Sequence, residues 1–185
     1  MNIQTKIRLD KMKEMLEEGK TMEVGISEHR ITNGLSLDCV ESLNPDLLCD
    51  LNKEAIPLDD EKVDVVVAGE ILEHLINPFN AVREFYRVLK ENGTLIVSVP
   101  NICSLVNRFK MLFGKLPLNC AEPVDDETPE RHITDFNLKV LKEVIEKAGF
   151  KIEEMKSNGL ITHSRLITRY VPAGMGETLI IKARK

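Results

Sequence analysis

The stretch "VDVVVAG", Val63 to Gly69, constrains this chain more than any other. It is a near-continuous β-branched run with little polar alternation, so both faces of the strand it forms must be covered. That is the setting of an inner strand in a parallel sheet with helices on both sides. A second run, "TLIVSVP" (Thr94 to Pro100), has the same character. Between them "NPFNAVREFYRVLKENG" reads as a helix that Asn77 caps, Pro78 opens and Gly93 stops.

The flanking segments extend the pattern. Residues 5–18 read as a polar helix with a thin apolar stripe of Ile7, Met12, Met15 and Leu16. Met22–Ile26, Leu35–Val40 and Asp46–Asp50 read as short strands. "NICSLVNRFKMLFGKLP" reads as an amphipathic helix whose Leu105, Phe109, Leu112 and Phe113 face the core, more naturally than a lipid or a partner. An acidic loop, "NCAEPVDDETPERHI", leads to a helix in "TDFNLKVLKEVIEKAG", and "FKIEEMKSNG" and "ETLIIKARK" read as closing strands. The fold class is therefore α/β, a doubly wound and mostly parallel sheet. Ligands of such sheets sit beyond the carboxyl ends of the strands, near the switch point. That rule selects Gly25–Glu28, Asp38, Asp50 and Gly69–His74.

The totals narrow the function classes. The sequence has 185 residues, 43% hydrophobic and 30% charged, which suits a single domain over 1–185. A net charge of −5 argues against a nucleic-acid partner recruited by bulk charge. No apolar run reaches the ~18 residues of a membrane span, and the charged N-terminus does not suit a signal peptide, so a cytoplasmic location is expected. Cys39, Cys49, Cys103 and Cys120 form no C-x-x-C pair, so buried thiols and no metal centre are expected.

At "VDVVVAGEILEHLINPFNAVREFYRVLKENGTLIVSVPN" the chain resembles the class I S-adenosylmethionine-dependent methyltransferases, and within them methyltransferase type 11. Gly69 and Glu70, the Glu73–His74 pair, Asn77–Pro78 and "RVLKENGTLIVSVPN" carry the resemblance. It continues into "CDLNKEAIPLDD" before and "RHITDFNLKVLKEVIEKAGFKIEEM" after, over roughly residues 46 to 156. It implies a Rossmann-like methyltransferase sheet with an antiparallel last strand, an S-adenosylmethionine cofactor, and an acceptor-binding insertion at 101–131. The front end departs from the family. Where D/E-x-G-x-G-x-G is usual, "EVGISEHRI" offers only Glu23 and Gly25, so the glycine-rich motif is degenerate. Roughly eight residues, Ser27 to Gly34, link the first two strands, short of the dozen that a parallel crossover usually needs.

The resemblance assigns roles at the strand ends. Glu23 and Gly25 border the methionine tail, where a missing Cβ lets backbone amides approach. Asp38 accepts the ribose hydroxyls and Asp50 the adenine amino group. Leu51 and Ile71 flank the adenine, and Gly69 and Glu70 line the sulfonium. His74, with His132 second, is the candidate base toward the acceptor. The same residues also fit plainer roles: Asp38 and Asp50 as turn caps, Gly25 as a turn residue, Glu73 and His74 as a brace for the helix, His132 as a local hydrogen bonder. Three functions follow: a methyltransferase acting on a small-molecule, lipid or sugar acceptor, alone or as a homodimer; a methyltransferase-like binding or assembly module that has lost its cofactor; and, disfavoured by the single-glycine loop, a nicotinamide-dependent reductase.

Overall fold

The run Val63–Gly69 forms the strand expected of it, the central strand of a seven-stranded sheet with one neighbour on each side. The structure, a computed structural model, describes residues 1–26, 29–121, 131–162, 165–168 and 171–185. In chain order the elements are α1 (Ile3–Lys13), β1 (Thr21–Val24), β2 (Leu35–Asp38), β3 (Leu47–Leu48), β4 (Val63–Gly69), α2 (Pro78–Val88), β5 (Leu89–Pro100), α3 (Leu105–Leu112), α4 (Leu138–Lys147), β6 (Lys151–Ser157), β7 (Leu160–Thr162), β8 (Arg165–Thr168) and β9 (Thr178–Arg184). The sheet order is β3-β2-β1-β4-β5-β9-β6, and β7 pairs with β8 as a separate ribbon. Strands β1 to β5 are parallel, and β9 runs antiparallel between β5 and β6.

Alternation along the inner strands sends side chains to two unequal layers. Val66 and Ala68 of β4, Leu95 and Val97 of β5, and Leu179 and Ile181 of β9 join the larger core with Val82 and Phe85 of α2 and Leu141 and Ile145 of α4. Val65, Val67, Ile96 and Ile180 face the other way, onto Leu9 and Met12 of α1, Met15 and Ile31. Helix α1 is the helix that packs on this second face, because no helix links β1 to β2 among the described residues.

The shortened crossover closes by side-chain capping. The Glu23 carboxylate is buried and accepts the N–H of Ile31 at 2.9 and 3.0 Å and the N–H of Thr32 at 2.9 Å. Arg30 lies 3.6 Å from the same carboxylate. Gly34 then passes over β1 so closely that a Cβ there would fall 2.2 Å from the Thr21 carbonyl oxygen.

Three expectations change. Helix α2 ends at Val88, not at Gly93, because Leu89 is fully buried and pairs with Val63 as the start of β5. Gly93 instead completes a tight turn inside that strand, its Cβ position 2.8 Å from the Lys90 carbonyl. The apolar stripe of α3 does not face the core: Phe109, Leu112 and Phe113 are 57%, 78% and 77% exposed, whereas Asn107 and the capping Ser104 are the buried residues. Asn107 turns inward because its amide accepts from Leu118 N–H at 2.7 Å and donates to the Asn101 carbonyl at 3.2 Å. Of the four cysteines only Cys49 is buried.

Glu17, just beyond α1, ties the ends of the fold together. It bonds Arg184 at 2.7 and 2.8 Å, Lys182 at 2.6 Å and Thr94 at 2.9 Å. The Arg184 guanidinium, ahead of the other partners, holds the Glu17 carboxyl well below the usual carboxylate range. A depressed pKa stabilises the folded state above the unfolded-state value and loses that contribution as pH falls through the folded one. Glu17→Gln should lower stability near neutrality by about 1 kcal/mol after solvent screening, and thermal melts of the two proteins should converge in acid. Gly34→Ala should cost roughly 1–3 kcal/mol by overpacking, read by urea denaturation; an unchanged midpoint would place this crossing elsewhere.

Candidate functional site

The sheet places the expected cofactor residues along one edge. Gly25 follows β1, Asp38 ends β2, Asp50 follows β3, and Gly69 and Glu70 end and follow β4. Strand β1 lies between β2 and β4, where the strand order reverses, so these residues surround the switch point. Gly25 has φ +83°, a conformation that favours glycine, and its N–H donates to the Leu37 carbonyl at 2.8 Å. The missing Cβ makes room for Ile71, whose Cδ1 would lie 2.2 Å from it. The Ile71 side chain therefore takes part of the space beside the loop.

The acids on this edge are engaged but keep acceptor capacity. Asp38 accepts Ile26 N–H at 2.7 Å on one oxygen and Val40 N–H at 2.9 Å on the other. A carboxylate offers about four lone-pair positions, so two remain. Asp50 pairs with Lys53 at 2.7 Å and accepts Asn52 N–H at 3.0 Å; these contacts, Lys53 first, lower its pKa. Leu51 is half-buried against the larger core. Gly69 lies under α1, its Cβ position 3.3 Å from an Arg8 guanidinium nitrogen.

Glu70 has φ +58°, an uncommon backbone region for a non-glycine residue. Its carboxyl accepts from Ser98 Oγ at 3.2 Å and lies 3.8 Å from Arg8. Burial raises its pKa against the opposing pull of Arg8 and Ser98. Arg8 and Ser98 escaped the sequence reading, because α1 and β5 are far apart in the chain and neither residue carries a motif.

The 3-10 turn Leu72–His74 follows and carries a second cluster. Glu73 is 1% exposed, and among the described residues neither of its carboxylate oxygens has a hydrogen-bond partner. Burial first, and the charge of Glu70 second, push its carboxyl well above the usual range. The Glu73 carbonyl accepts the N–H groups of Ile133 at 2.7 Å and Thr134 at 3.0 Å, and Thr134 Oγ1 donates to the Leu75 carbonyl at 3.0 Å. These bonds bring His132 against His74, with ring centroids 4.8 Å apart and planes at 75°. His74 Nδ1 lies 3.0 Å from the Arg131 carbonyl oxygen and His132 Nδ1 lies 2.9 Å from that of Asn119. The sequence marks Glu73 through the Glu73–His74 pair at a strand end, with a brace for the helix as its plainer role; its burial is not visible there.

Beside α3, a groove of about 400 Å3 is lined by Leu105, Phe109, Phe113 and Leu160 with Lys110 and Lys115. It lies in the segment expected to receive the acceptor, not at the Gly25–Asp38 edge. Ser27 and Glu28, residues 122–130 of the acidic loop, and His163 lie outside the described residues. No helix among the described residues is long and apolar enough to cross a membrane.

Comparison with known proteins agrees with this architecture. Residues 9–97 match the family "Methyltransferase domain". The chain is 35% identical over 104 residues to the "Probable S-adenosylmethionine-dependent methyltransferase" of Mycolicibacterium smegmatis, covering 56% of this chain and 34% of that protein. The chain thus spans about a third of the length of that curated relative, and 18% of a Mycobacterium tuberculosis one. In fold it resembles a "possible histamine N-methyltransferase" of Thermotoga maritima, with a TM-score of 0.69 and 21% identity over 96% of this chain and 87% of that one. It also resembles the 1,6-didemethyltoxoflavin-N1-methyltransferase of Burkholderia thailandensis, solved with S-adenosylhomocysteine, at TM-score 0.59 and 13% identity over 96% and 77% of the two chains. The strand order, the match over residues 9–97 and these relatives make the chain similar to the class I S-adenosylmethionine-dependent methyltransferases, whose fold it shares.

Proposed function

We propose that this chain, acting as one domain, binds S-adenosylmethionine and transfers its methyl group to a small-molecule, lipid or sugar acceptor in the cytoplasm. The observation that carries the reading is the convergence of Gly25, Asp38, Asp50 and Glu70 on the carboxyl edge of β1 to β4, at the switch point. Asp38 takes the ribose hydroxyls with its remaining lone pairs, Asp50 takes the adenine amino group, and Leu51 supports the ring. Gly25 admits the methionine tail, Glu23 holds the loop in place for it, and Gly69 and Glu70 border the sulfonium. The acceptor approaches through the 101–131 segment, whose apolar groove suits a molecule with an apolar portion.

Transfer is an in-line displacement: an acceptor lone pair forms the new bond to the methyl carbon, the carbon–sulfur bond breaks, and neutral S-adenosylhomocysteine leaves. The sulfonium already activates the carbon, so the protein contributes mainly alignment. His74 and His132 stand on the acceptor's side and orient the reacting group toward the methyl. No nucleic-acid partner is proposed, in keeping with the net charge of −5. A homodimer belongs to this reading as the way a second copy would roof the short Gly25–Gly34 loop.

Two observations favour the second reading, a methyltransferase-like module without catalysis: Ile71 occupies space beside Gly25, and both Asp38 oxygens already bond backbone amides. Calorimetry separates the two. S-adenosylhomocysteine should bind the chain in the micromolar range, and Asp38→Ala should lose that binding. Ile71→Ala should tighten it severalfold by widening the cleft. No heat at millimolar ligand, with either the unmodified chain or Ile71→Ala, would support the module instead.

A further inference from the structure

We propose that Glu73, His74 and His132 form a binding site for one divalent first-row cation, Zn2+ in the first instance. One ligand atom from each of the three residues lies within 4.8 Å of the others. Glu73 brings the independent observation: a side chain 1% exposed, with both carboxylate oxygens unpartnered among the described residues, directed into the cluster. A buried acid without hydrogen bonds is unfavourable unless something positive completes it.

The imidazoles are set for the same task. The Arg131 and Asn119 carbonyls can only accept, so Nδ1 of His74 and of His132 carries the proton. In each neutral ring the lone pair then belongs to Nε2. A backbone carbonyl on the far ring nitrogen is the usual way a metal-binding histidine is oriented. The bonds from Ile133 and Thr134 to the Glu73 carbonyl hold the two ligand-bearing segments in register, so the site does not depend on a loose loop.

Two nitrogens and one carboxylate oxygen, with a further position left for a small ligand, make a set that Zn2+ takes in catalytic sites. Mn2+, Fe2+ and Co2+ accept the same donors, whereas Mg2+ and Ca2+ prefer all-oxygen surroundings. At metal–ligand distances of about 2.1 Å, tetrahedral ligand atoms stand about 3.4 Å apart. The side chains would therefore close inward by roughly 1 Å, which small side-chain rotations supply.

The cation's purpose rests on the reading of this end as the acceptor's: the open position takes an acceptor hydroxyl. Coordination eases loss of its proton to water, and the oxygen lone pair then takes the methyl group from the sulfonium. The cation site itself stands on the three residues alone.

Chelator-treated full chain should be titrated with Zn2+ by calorimetry and with Co2+ by visible absorption, without cofactor. The expected result is one ion per chain, a rise in melting temperature, and a nitrogen–oxygen cobalt spectrum without strong thiolate bands. His132→Ala and Glu73→Gln should each weaken binding about tenfold or more. Glu73→Gln keeps the side-chain volume and an uncharged polar group in place, so in chelator it should melt no lower than the unmodified chain. Absence of saturable binding, binding unchanged in both variants, or a thiolate-dominated spectrum would overturn the proposal. S-adenosylhomocysteine titrated into the same variants reports the cofactor reading separately, because neither residue is assigned to that edge.

Discussion

The Glu23 carboxylate and the amides of Ile31 and Thr32 are the interaction on which the site's layout depends. A parallel pair of strands needs a return path, and a helix normally provides one while satisfying its own backbone. Here the path from Gly25 to Gly34 is too short for that. A buried acid at the third position of β1 takes over, capping the returning chain from below and drawing Arg30 to its side. The cap brings β2 beside β1, and with it Asp38 beside Gly25. One carboxylate thus does for the crossover what a turn or two of helix does in a longer loop.

The fold was legible because burial leaves a local trace. Val63–Gly69 and Thr94–Pro100 could only be inner strands, and the spacing of Val82, Phe85, Leu141 and Ile145 could only be helix faces. The failures lie where a side chain's partner is distant or polar. Nothing within the sequence around Val88 shows that Leu89 will pair with Val63 and end α2 early. In α3 the apolar periodicity pointed inward, yet Asn107 and Ser104 are the residues the fold buries, because their hydrogen bonds to 101–118 organise that segment. Periodicity records which face is greasy; it does not record which face the backbone needs for its own amides.

The candidate site shows the same division. Asp38, Asp50, Gly69 and Glu70 were placed at strand ends by counting alone. Their contacts to Arg8, Ser98 and Lys53, and the meeting of His74 with His132 across 58 positions of sequence, arise only in three dimensions. The chemistry of this end follows from burial more than from residue type. Glu70 and Glu73 are three positions apart, and with Glu73 buried and Glu70 half-buried beside it, two simultaneous negative charges are unfavourable. A proton, the Arg8 guanidinium or a cation must therefore accompany them, and whichever it is sets the potential that an approaching acceptor meets.

Helix α1 carries a consequence for the order of assembly. Its apolar face rests on Ile96 of β5 and Ile180 of β9, and Glu17 beyond it grips Arg184. That platform, which Val65 and Val67 of β4 begin, is complete only once the latest strand lies between β5 and β6. Arg8 rides on that helix, so the completed platform is what fixes its guanidinium against Glu70 and Ser98. The last strand to join the sheet thus helps to seat the counterion of acids that it does not itself touch.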